Sequence, residues 1–183
     1  MSKREMPSAP DVPVELGQTV IPESVKAKWK GEHKAAAVSG RTIELFGAIG
    51  DDGYGNGTSS DQFAKMLRSL GKGDITVNID SPGGSMFAGM AMYNQLINHD
   101  GDVTVNVVGT AASAASLVAM AGDTINMYPA SFLMIHNCWL SSSGNAEQFI
   151  ALANTMKPFD AAMADIYSAR TGKEASECSA MMA

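Results

Sequence analysis

The chain has 183 residues, 45% of them hydrophobic, which is enough for one domain with a buried core. Its 13 basic and 19 acidic residues leave a formal charge of −6, which argues against a nucleic-acid-binding surface. The two cysteines, Cys138 and Cys178, lack the spacing of metal ligands and are typical of reduced thiols in a cytoplasmic protein.

Residues 1–32 contain four of the seven prolines and no sustained apolar period. This composition predicts an extended or disordered arm ahead of a domain over residues 33–183. The arm also lacks the apolar run of a secretory signal.

Beyond the arm, strand-like runs alternate with helical ones. Strand-like runs occupy residues 35–38, 42–49, 75–79, 103–108, 124–127 and 131–135. Helical patterns lie between them, one of them capped at residues 59–61 and another following a Pro-Gly-Gly turn. The alternation predicts an α/β fold with a mostly parallel sheet, right-handed crossovers and a ligand site at the carboxyl ends of the strands.

One strand-to-helix junction has features of an acyl-transfer site. Residues 109–116 read Gly-Thr-Ala-Ala-Ser-Ala-Ala-Ser and follow the strand at 103–108. Such a junction puts Ser113 at a helix N-terminus, where unpaired N–H groups and the helix dipole can hold an oxyanion. The alternative is a serine that only caps the helix. Polar residues and Gly109 interrupt the apolar run 103–121, which predicts a buried strand and helix of a soluble protein, without a membrane span.

A serine nucleophile needs a base, and the chain has three histidines. His33 lies in the polar N-terminal region, and His99 lies in a polar turn. His136 ends the apolar strand 131–135, at the sheet edge where Ser113 should emerge. This placement makes His136 the candidate partner of Ser113, although a lone histidine at a strand end is more often structural than catalytic.

The last third of the chain predicts a long helix over about 144–170. Apolar residues recur there at alternating steps of three and four: Phe149, Leu152, Met156, Phe159, Met163 and Ile166. Pro158 should kink or divide this helix. Thr171-Gly-Lys-Glu174 fits a capping box that would begin a short final helix.

Three separated motifs resemble the ClpP-like serine peptidase family, the proteolytic subunits of Clp proteases. They are Ser-Pro-Gly-Gly at residues 81–84, Gly-x-Ala-x-Ser at 109–113 and Met-Ile-His at 134–136, in this order. The similarity runs from about Thr42 to the last residue. Within the family the chain looks most like the head-maturation proteases of phages and prophages.

The resemblance implies a serine endopeptidase on a ClpP/crotonase-like spiral of mostly parallel strands with flanking helices. Ser113 would be the nucleophile and His136 the general base, while the rival Ser116 would lie one turn deeper. The N–H groups of Gly84 and Ala114 would form the oxyanion hole.

A peptide substrate would most simply bind as an added strand. It would lie between Gly83, Ser85 and Met86 on one side and the segment that begins at Asn137 on the other.

The resemblance also implies partners. The long helix resembles a protruding handle through which rings of identical subunits stack, although it could instead fold against its own domain. The substrate would be a polypeptide, such as a capsid or scaffold protein, in a bacterial or phage-infected cytoplasm. The involvement of an AAA+ unfoldase stays open, and no cofactor, metal, nucleic acid or membrane is expected.

The third member of a catalytic triad is not matched in this chain. Relatives place an acidic residue after the handle, and Glu174 and Glu177 precede the expected position. This gap suggests a truncated C-terminus. It also leaves two alternatives open, a catalytically impaired assembly protein and an acyl-CoA hydratase or isomerase. The hydratase or isomerase reaction uses carboxylates rather than a serine and a histidine, which argues against it.

Overall fold

The computed structural model describes residues 36–50 and 57–183. The predicted arm over residues 1–32 and residues 51–56 lie outside the described residues. Six strands are β1 (Ala36–Ser39), β2 (Thr42–Ile49), β3 (Ile75–Gly84), β4 (Val103–Ala112), β5 (Thr124–Met127) and β6 (Phe132–Met134). Within the same residues, five helices are α1 (Ser60–Leu70), α2 (Met86–Ile97), α3 (Ala114–Met120), α4 (Ala146–Thr171) and α5 (Ala175–Met182).

The strands form one sheet in the order β1-β2-β3-β4-β5, and β6 pairs with the far end of β4. Only β1 and β2 are antiparallel; the other pairs are parallel. The predicted mostly parallel α/β fold is therefore confirmed. Because β3 and β4 are adjacent and parallel, their carboxyl ends bring the Gly-Gly turn and Ser113 to the same edge of the sheet.

One face of the sheet packs against the helices. Alternate strand residues point into this core, as the period of two requires: Ile43, Leu45, Val77, Ile79, Val105 and Val107 are all completely buried. Phe63 of α1 and Met92 of α2 cover them. Every residue of α3 is buried, and its side chains are all small or apolar.

The opposite face carries a row of hydrogen-bonded amides that the sequence analysis missed. Asn126 donates to Asn106 over 2.9 Å, Asn106 donates to Asn78 over 2.9 Å, and Asn78 donates to both carboxylate oxygens of Glu44 at 3.1 Å. The strand register places these four residues side by side. The row therefore ties β2, β3, β4 and β5 together in one register.

We expect Asn106→Ala to lower the free energy of unfolding by about 1–2 kcal/mol, because it breaks two amide hydrogen bonds in a half-buried row. Asn126→Ala breaks one bond at the exposed end and should cost less. Urea unfolding followed by circular dichroism measures both. Equal midpoints for Asn106→Ala and the unchanged chain would show that the row contributes no stability.

The long helix α4 runs from Ala146 to Thr171 and continues through Pro158 rather than dividing there. Its C-terminal half is buried through Met163, Ala164 and Tyr167 and contacts α3. Its N-terminal half is more exposed, with Phe149 47% accessible. The helix therefore folds partly against its own domain. Within the described residues, no helix has the length and apolar character needed to cross a membrane.

The capping box predicted at residues 171–174 is wrong. Thr171 is the last residue of α4, and its hydroxyl donates to the carbonyl of Tyr167. Glu174 occupies the N-cap of α5 without a side-chain capping bond. Helix α5 starts three residues later than a capping box at Thr171 would require, and the Thr171 hydroxyl instead bonds back to a carbonyl four residues earlier in α4.

Candidate active site

Ser113 lies at the junction of β4 and α3 in an unusual backbone conformation. Its φ and ψ are 53° and −124°, and it is the one non-glycine residue with positive φ in the part of the chain that the structure describes. Such strain is seen where the surrounding structure over-determines a functional residue. Its side chain makes no capping bond to α3, so the hydroxyl is free for another partner.

That partner is His136. Strand β6 pairs with the end of β4, with Met134 opposite Ala112, and the amide of Ser113 donates to the carbonyl of Met134 over 2.9 Å. His136 follows two residues later, and its Nε2 lies 2.8 Å from Ser113 Oγ. The structure thus brings together the hydroxyl and imidazole that the sequence analysis paired.

The glycine turn at the end of β3 packs directly beside Ser113. The buried hydroxyl of Ser81 accepts a hydrogen bond from the amide of Gly83 over 3.1 Å. A Cβ on Gly83 would lie 2.7 Å from Ser113 Cβ and 2.9 Å from the amide nitrogen of Ala114. A glycine is needed here because two backbone segments approach closely and φ is +90°.

A cavity of about 720 Å³ opens beside the pair. Its lining includes Ser113 and His136 together with three of the predicted residues, Gly84, Ser85 and Met86. Most of the wall is apolar: Phe87, Met134, Trp139, Leu152, Met156 and Phe159. No lysine, arginine, aspartate or glutamate of the described residues lines it. The cavity therefore suits an uncharged, apolar part of a substrate.

Helix α4 supplies one wall of this cavity, which the sequence analysis did not predict. Leu152, Met156 and Phe159 face the same space as Ser113 and His136. The apolar seam of this helix was interpreted as a surface for another subunit or for its own domain. Its periodicity gave no indication of which residues would approach the β4 edge, since that depends on the path of the intervening chain.

Gly83, Ala114 and Asn137 do not line the cavity surface. The amide of Asn137 donates to the carbonyl of Met182, and the amide of Cys138 donates to Asp160. A substrate strand could use these two donors only if those bonds opened, and the substrate contact expected of Asn137 stays a prediction. In the structure, residues 137 and 138 attach the His136 segment to α4 and α5.

The rival nucleophile Ser116 is completely buried. Its hydroxyl lies 2.5 Å from the carbonyl oxygen of Ser113 and 2.8 Å from the hydroxyl of Tyr167. A substrate carbonyl cannot reach it. His99 is similarly occupied, with Nε2 2.8 Å from the carbonyl of Gly73, and His33 lies outside the described residues.

Cys138 is a second potential nucleophile in the cavity wall. Burial, and then the negative charge of Asp160, raise the pKa of its thiol. A raised pKa leaves less thiolate at neutral pH, and the thiolate is the reactive form. The raised pKa therefore argues against Cys138 as the nucleophile of this cavity.

We expect iodoacetamide to alkylate Cys138 more slowly at pH 8 than it alkylates an unstructured cysteine peptide, because the raised pKa lowers the thiolate fraction. The rate should rise to its half-maximum at a higher pH than for the peptide, as followed by mass spectrometry. Asp160→Asn should bring that midpoint partly back, since it removes one cause of the shift. A midpoint at or below that of the peptide would contradict this assignment.

No carboxylate is hydrogen-bonded to His136 within residues 36–50 and 57–183. Glu174 begins α5, and Glu177 pairs with Lys173 on the same helix. Within the same ranges, no group of three or more His, Cys, Asp or Glu side chains is placed to hold a metal ion. The chemistry of the described site is that of a hydroxyl, an imidazole and nearby backbone amides.

Comparisons with known proteins match the sequence of this chain to one family. A sequence model described as Clp protease matches residues 35–183. An "ATP-dependent Clp protease proteolytic subunit" of Ligilactobacillus salivarius (strain UCC118) is 31% identical over 145 residues, covering 78% of this chain and 73% of that protein. A protein of the same description from Pleurastrum terricola is 32% identical over 159 residues, covering 84% and 78%.

Other relatives match over a shorter length. The Oltmannsiellopsis viridis protein, also described as an ATP-dependent Clp protease proteolytic subunit, is 37% identical over 103 residues, or 55% of this chain. The chain spans about half the length of this relative and of the Chlorella vulgaris one, 52% and 53% respectively.

Proposed function

The chain belongs to the Clp protease family, and we propose that it is a serine endopeptidase in which Ser113 is the nucleophile and His136 the general base. The observation that carries the proposal is the 2.8 Å separation of Ser113 Oγ and His136 Nε2 beside an apolar cavity. At that distance the imidazole can take the hydroxyl proton as the oxygen attacks a peptide carbonyl.

The reaction proceeds in two halves. His136 Nε2 accepts the Ser113 proton as the Oγ–carbon bond forms, and then gives that proton to the leaving amine as the peptide bond breaks. Water hydrolyses the acyl-enzyme in the same way. The carbonyl oxygen carries negative charge in both tetrahedral intermediates, and we assign its stabilisation to the amides of Gly84 and Ala114. The close packing of Gly83 on Ser113 and Ala114 supports this assignment.

The substrate we propose is an extended polypeptide lying along the Gly84–Met86 segment, with an apolar side chain in the cavity. Among polypeptides, we propose capsid or scaffold proteins of phage heads as the substrates, on the motif resemblance alone. Peptide hydrolysis by the Ser113–His136 pair consumes no nucleotide, so an AAA+ unfoldase would only deliver folded substrates.

We further propose a homo-oligomeric ring acting in a bacterial or phage-infected cytoplasm. Apolar side chains exposed on the single chain support self-association: Phe132, Trp139 and Ile150 are 70%, 78% and 63% accessible. The free thiols Cys138 and Cys178 suit a reducing compartment.

Turnover should be slow, because no carboxylate within residues 36–50 and 57–183 is hydrogen-bonded to His136. Triad peptidases that lose the carboxylate orienting the imidazole lose about 10⁴-fold in turnover. Covalent labelling of the nucleophile is therefore a more sensitive assay than peptide hydrolysis, because it requires one turnover only.

The test is labelling with a fluorophosphonate, which phosphonylates an activated serine. We expect a single adduct on Ser113, located by peptide mass spectrometry, and no adduct in Ser113→Ala. Asn154→Ala on the exposed surface of α4 is a control that should label like the unchanged chain. Labelling that persists in Ser113→Ala would exclude Ser113 as the nucleophile, and a folded chain that never labels would favour the impaired assembly protein.

A further inference from the structure

Two polar side chains of α4, the half-buried Asp160 and the buried Tyr167, bond to the segments that carry His136 and Ser113. Asp160 and Tyr167 are seven residues apart, so they lie two turns apart on the same face of the helix. We propose that both are positioning residues: Tyr167 fixes the backbone that carries Ser113, and Asp160 fixes the segment that carries His136. This inference rests on the proposed serine peptidase function and goes beyond it by assigning roles to two residues outside the cavity.

The first connection runs from Tyr167 through Ser116 to Ser113. The Ser113 carbonyl oxygen can only accept, so the Ser116 hydroxyl, 2.5 Å away, donates to it. The Tyr167 hydroxyl, 2.8 Å from Ser116 Oγ, is then the donor of the second bond. Tyr167 is 4% exposed and Ser116 is fully buried, so water does not replace either partner.

This relay holds the strained backbone of the nucleophile. The orientation of the Ser113 carbonyl follows from its ψ of −124°, which accompanies a positive φ. A residue in such a conformation relaxes unless its neighbours over-determine it. Relaxation would move Oγ away from the imidazole, so the hydrogen bond to this carbonyl contributes to the geometry of the reacting pair.

The second connection runs from Asp160 to the residues after His136. Residues 135–145 form no helix or strand. The amide of Cys138 donates to Asp160 Oδ1 over 2.6 Å, and the amide of Asn137 donates to the Met182 carbonyl over 2.9 Å. These bonds attach the segment directly after His136 to α4 and α5, which limits the movement of the imidazole.

An aromatic contact beside Asp160 holds α4 against α2. Phe159, next to Asp160, packs edge-on against Phe87 of α2, with ring centroids 5.2 Å apart at an angle of 85°. Phe87 follows the Gly83-Gly84 turn by three residues. The helix is therefore joined to the backbone around Ser113, to the segment after His136 and to the helix that follows the proposed oxyanion turn.

The test measures the rate constant for fluorophosphonate labelling of Ser113 in the folded chain. Tyr167→Phe removes one hydroxyl, and we expect labelling about tenfold slower. Asp160→Ala should slow it by about tenfold or more, whereas Asp160→Asn keeps an acceptor oxygen and should label within about threefold of the unchanged rate. Neither side chain lines the cavity, so KM for a peptide should stay constant while kcat falls.

Two controls separate positioning from general stability. Met163→Ala cuts a buried side chain of α4 between the two positions and should lower the melting temperature without changing the labelling rate of folded chain. If Tyr167 acts through Ser116, Tyr167→Phe should have no further effect in a Ser116→Ala background. Equal slowing in both backgrounds, or Asp160→Asn as slow as Asp160→Ala, would overturn the inference.

The outcomes also separate this inference from the proposed function. If the unchanged chain labels at Ser113 and the Tyr167 and Asp160 variants label equally fast, the positioning roles are wrong and the peptidase proposal stands. If the adduct forms on a residue other than Ser113, the proposed function fails and the positioning roles fail with it.

Discussion

His136→Gln is expected to lower kcat for peptide hydrolysis by about 10²-fold in this chain, with KM unchanged. In a peptidase with a complete triad, loss of the base costs about 10⁶-fold and loss of the carboxylate about 10⁴-fold. The ratio of these two losses, on the order of 10², is the factor that the base still contributes to kcat when no carboxylate orients it. In the described residues His136 bonds to Ser113 and to no carboxylate, so the smaller effect applies.

His99→Gln is the matched control. His99 is a half-buried histidine whose Nε2 contacts a backbone carbonyl far from the cavity, so its replacement should leave kcat within twofold. Hydrolysis of a fluorogenic peptide by the two variants gives the comparison. Equal kcat values for His136→Gln and the unchanged chain would remove His136 from the mechanism, and a loss near 10⁶-fold would mean that an acidic partner does orient it.

Gly83→Ala is expected to lower kcat by about 10²- to 10³-fold, the usual loss when an oxyanion donor is displaced. The added Cβ would overlap the carbonyl oxygen of Ala112, and it would lie 2.7 Å from Ser113 Cβ and 2.9 Å from the Ala114 amide nitrogen. Backbone atoms cannot rotate away, so the nucleophile and one proposed donor must shift together. Circular dichroism would give the folded fraction to which kcat is normalised.

Gly40→Ala separates steric contact from backbone strain. Gly40 also has a positive φ, +59°, but a Cβ there would meet nothing within 4 Å. We expect it to lower stability by about 1 kcal/mol, as positive φ costs in alanine, and to leave kcat per folded molecule unchanged. If Gly83→Ala lowered stability only as much as Gly40→Ala does and left kcat per folded molecule unchanged, the glycine turn would have no part in the reaction.

The proximity of Ser113 and His136 could be predicted because it depends on strand ends. An apolar strand that stops at Gly109-Thr110 and another that stops at Ile135 both end at the carboxyl edge of a parallel sheet. Parallel topology follows from the alternation of strands and helices, so both side chains reach one edge before any detail of packing is known.

The amide row could have been found in the sequence. The triplets Thr76-Val77-Asn78, Thr104-Val105-Asn106 and Thr124-Ile125-Asn126 repeat a threonine, a β-branched residue and an asparagine, and the structure aligns them in register. A repeated triplet in successive parallel strands predicts that equivalent residues lie side by side. The repeated triplet could therefore have predicted the amide row, because the register of neighbouring strands decides which residues lie side by side.

The contacts of α4 could not be predicted in the same way. Tyr167 reaches Ser116 across 51 residues, and Asp160 reaches Cys138 across 22 residues that include the irregular stretch 138–145. Helical periodicity identifies which face of α4 is buried. It does not show which residues that face contacts, because this depends on the path of the irregular segment. For the same reason the sequence could not show that the amide of Asn137 bonds to Met182.

The most direct test of the central claim is reaction with a peptidyl chloromethyl ketone followed by peptide mapping. Attack of Ser113 Oγ on the ketone places the chloromethyl carbon beside His136 Nε2, 2.8 Å from Oγ, so that the nitrogen displaces chloride and becomes alkylated. We expect an adduct on His136 that disappears in Ser113→Ala. Alkylation of His136 at the same rate in Ser113→Ala would show that the hydroxyl and the imidazole do not act together.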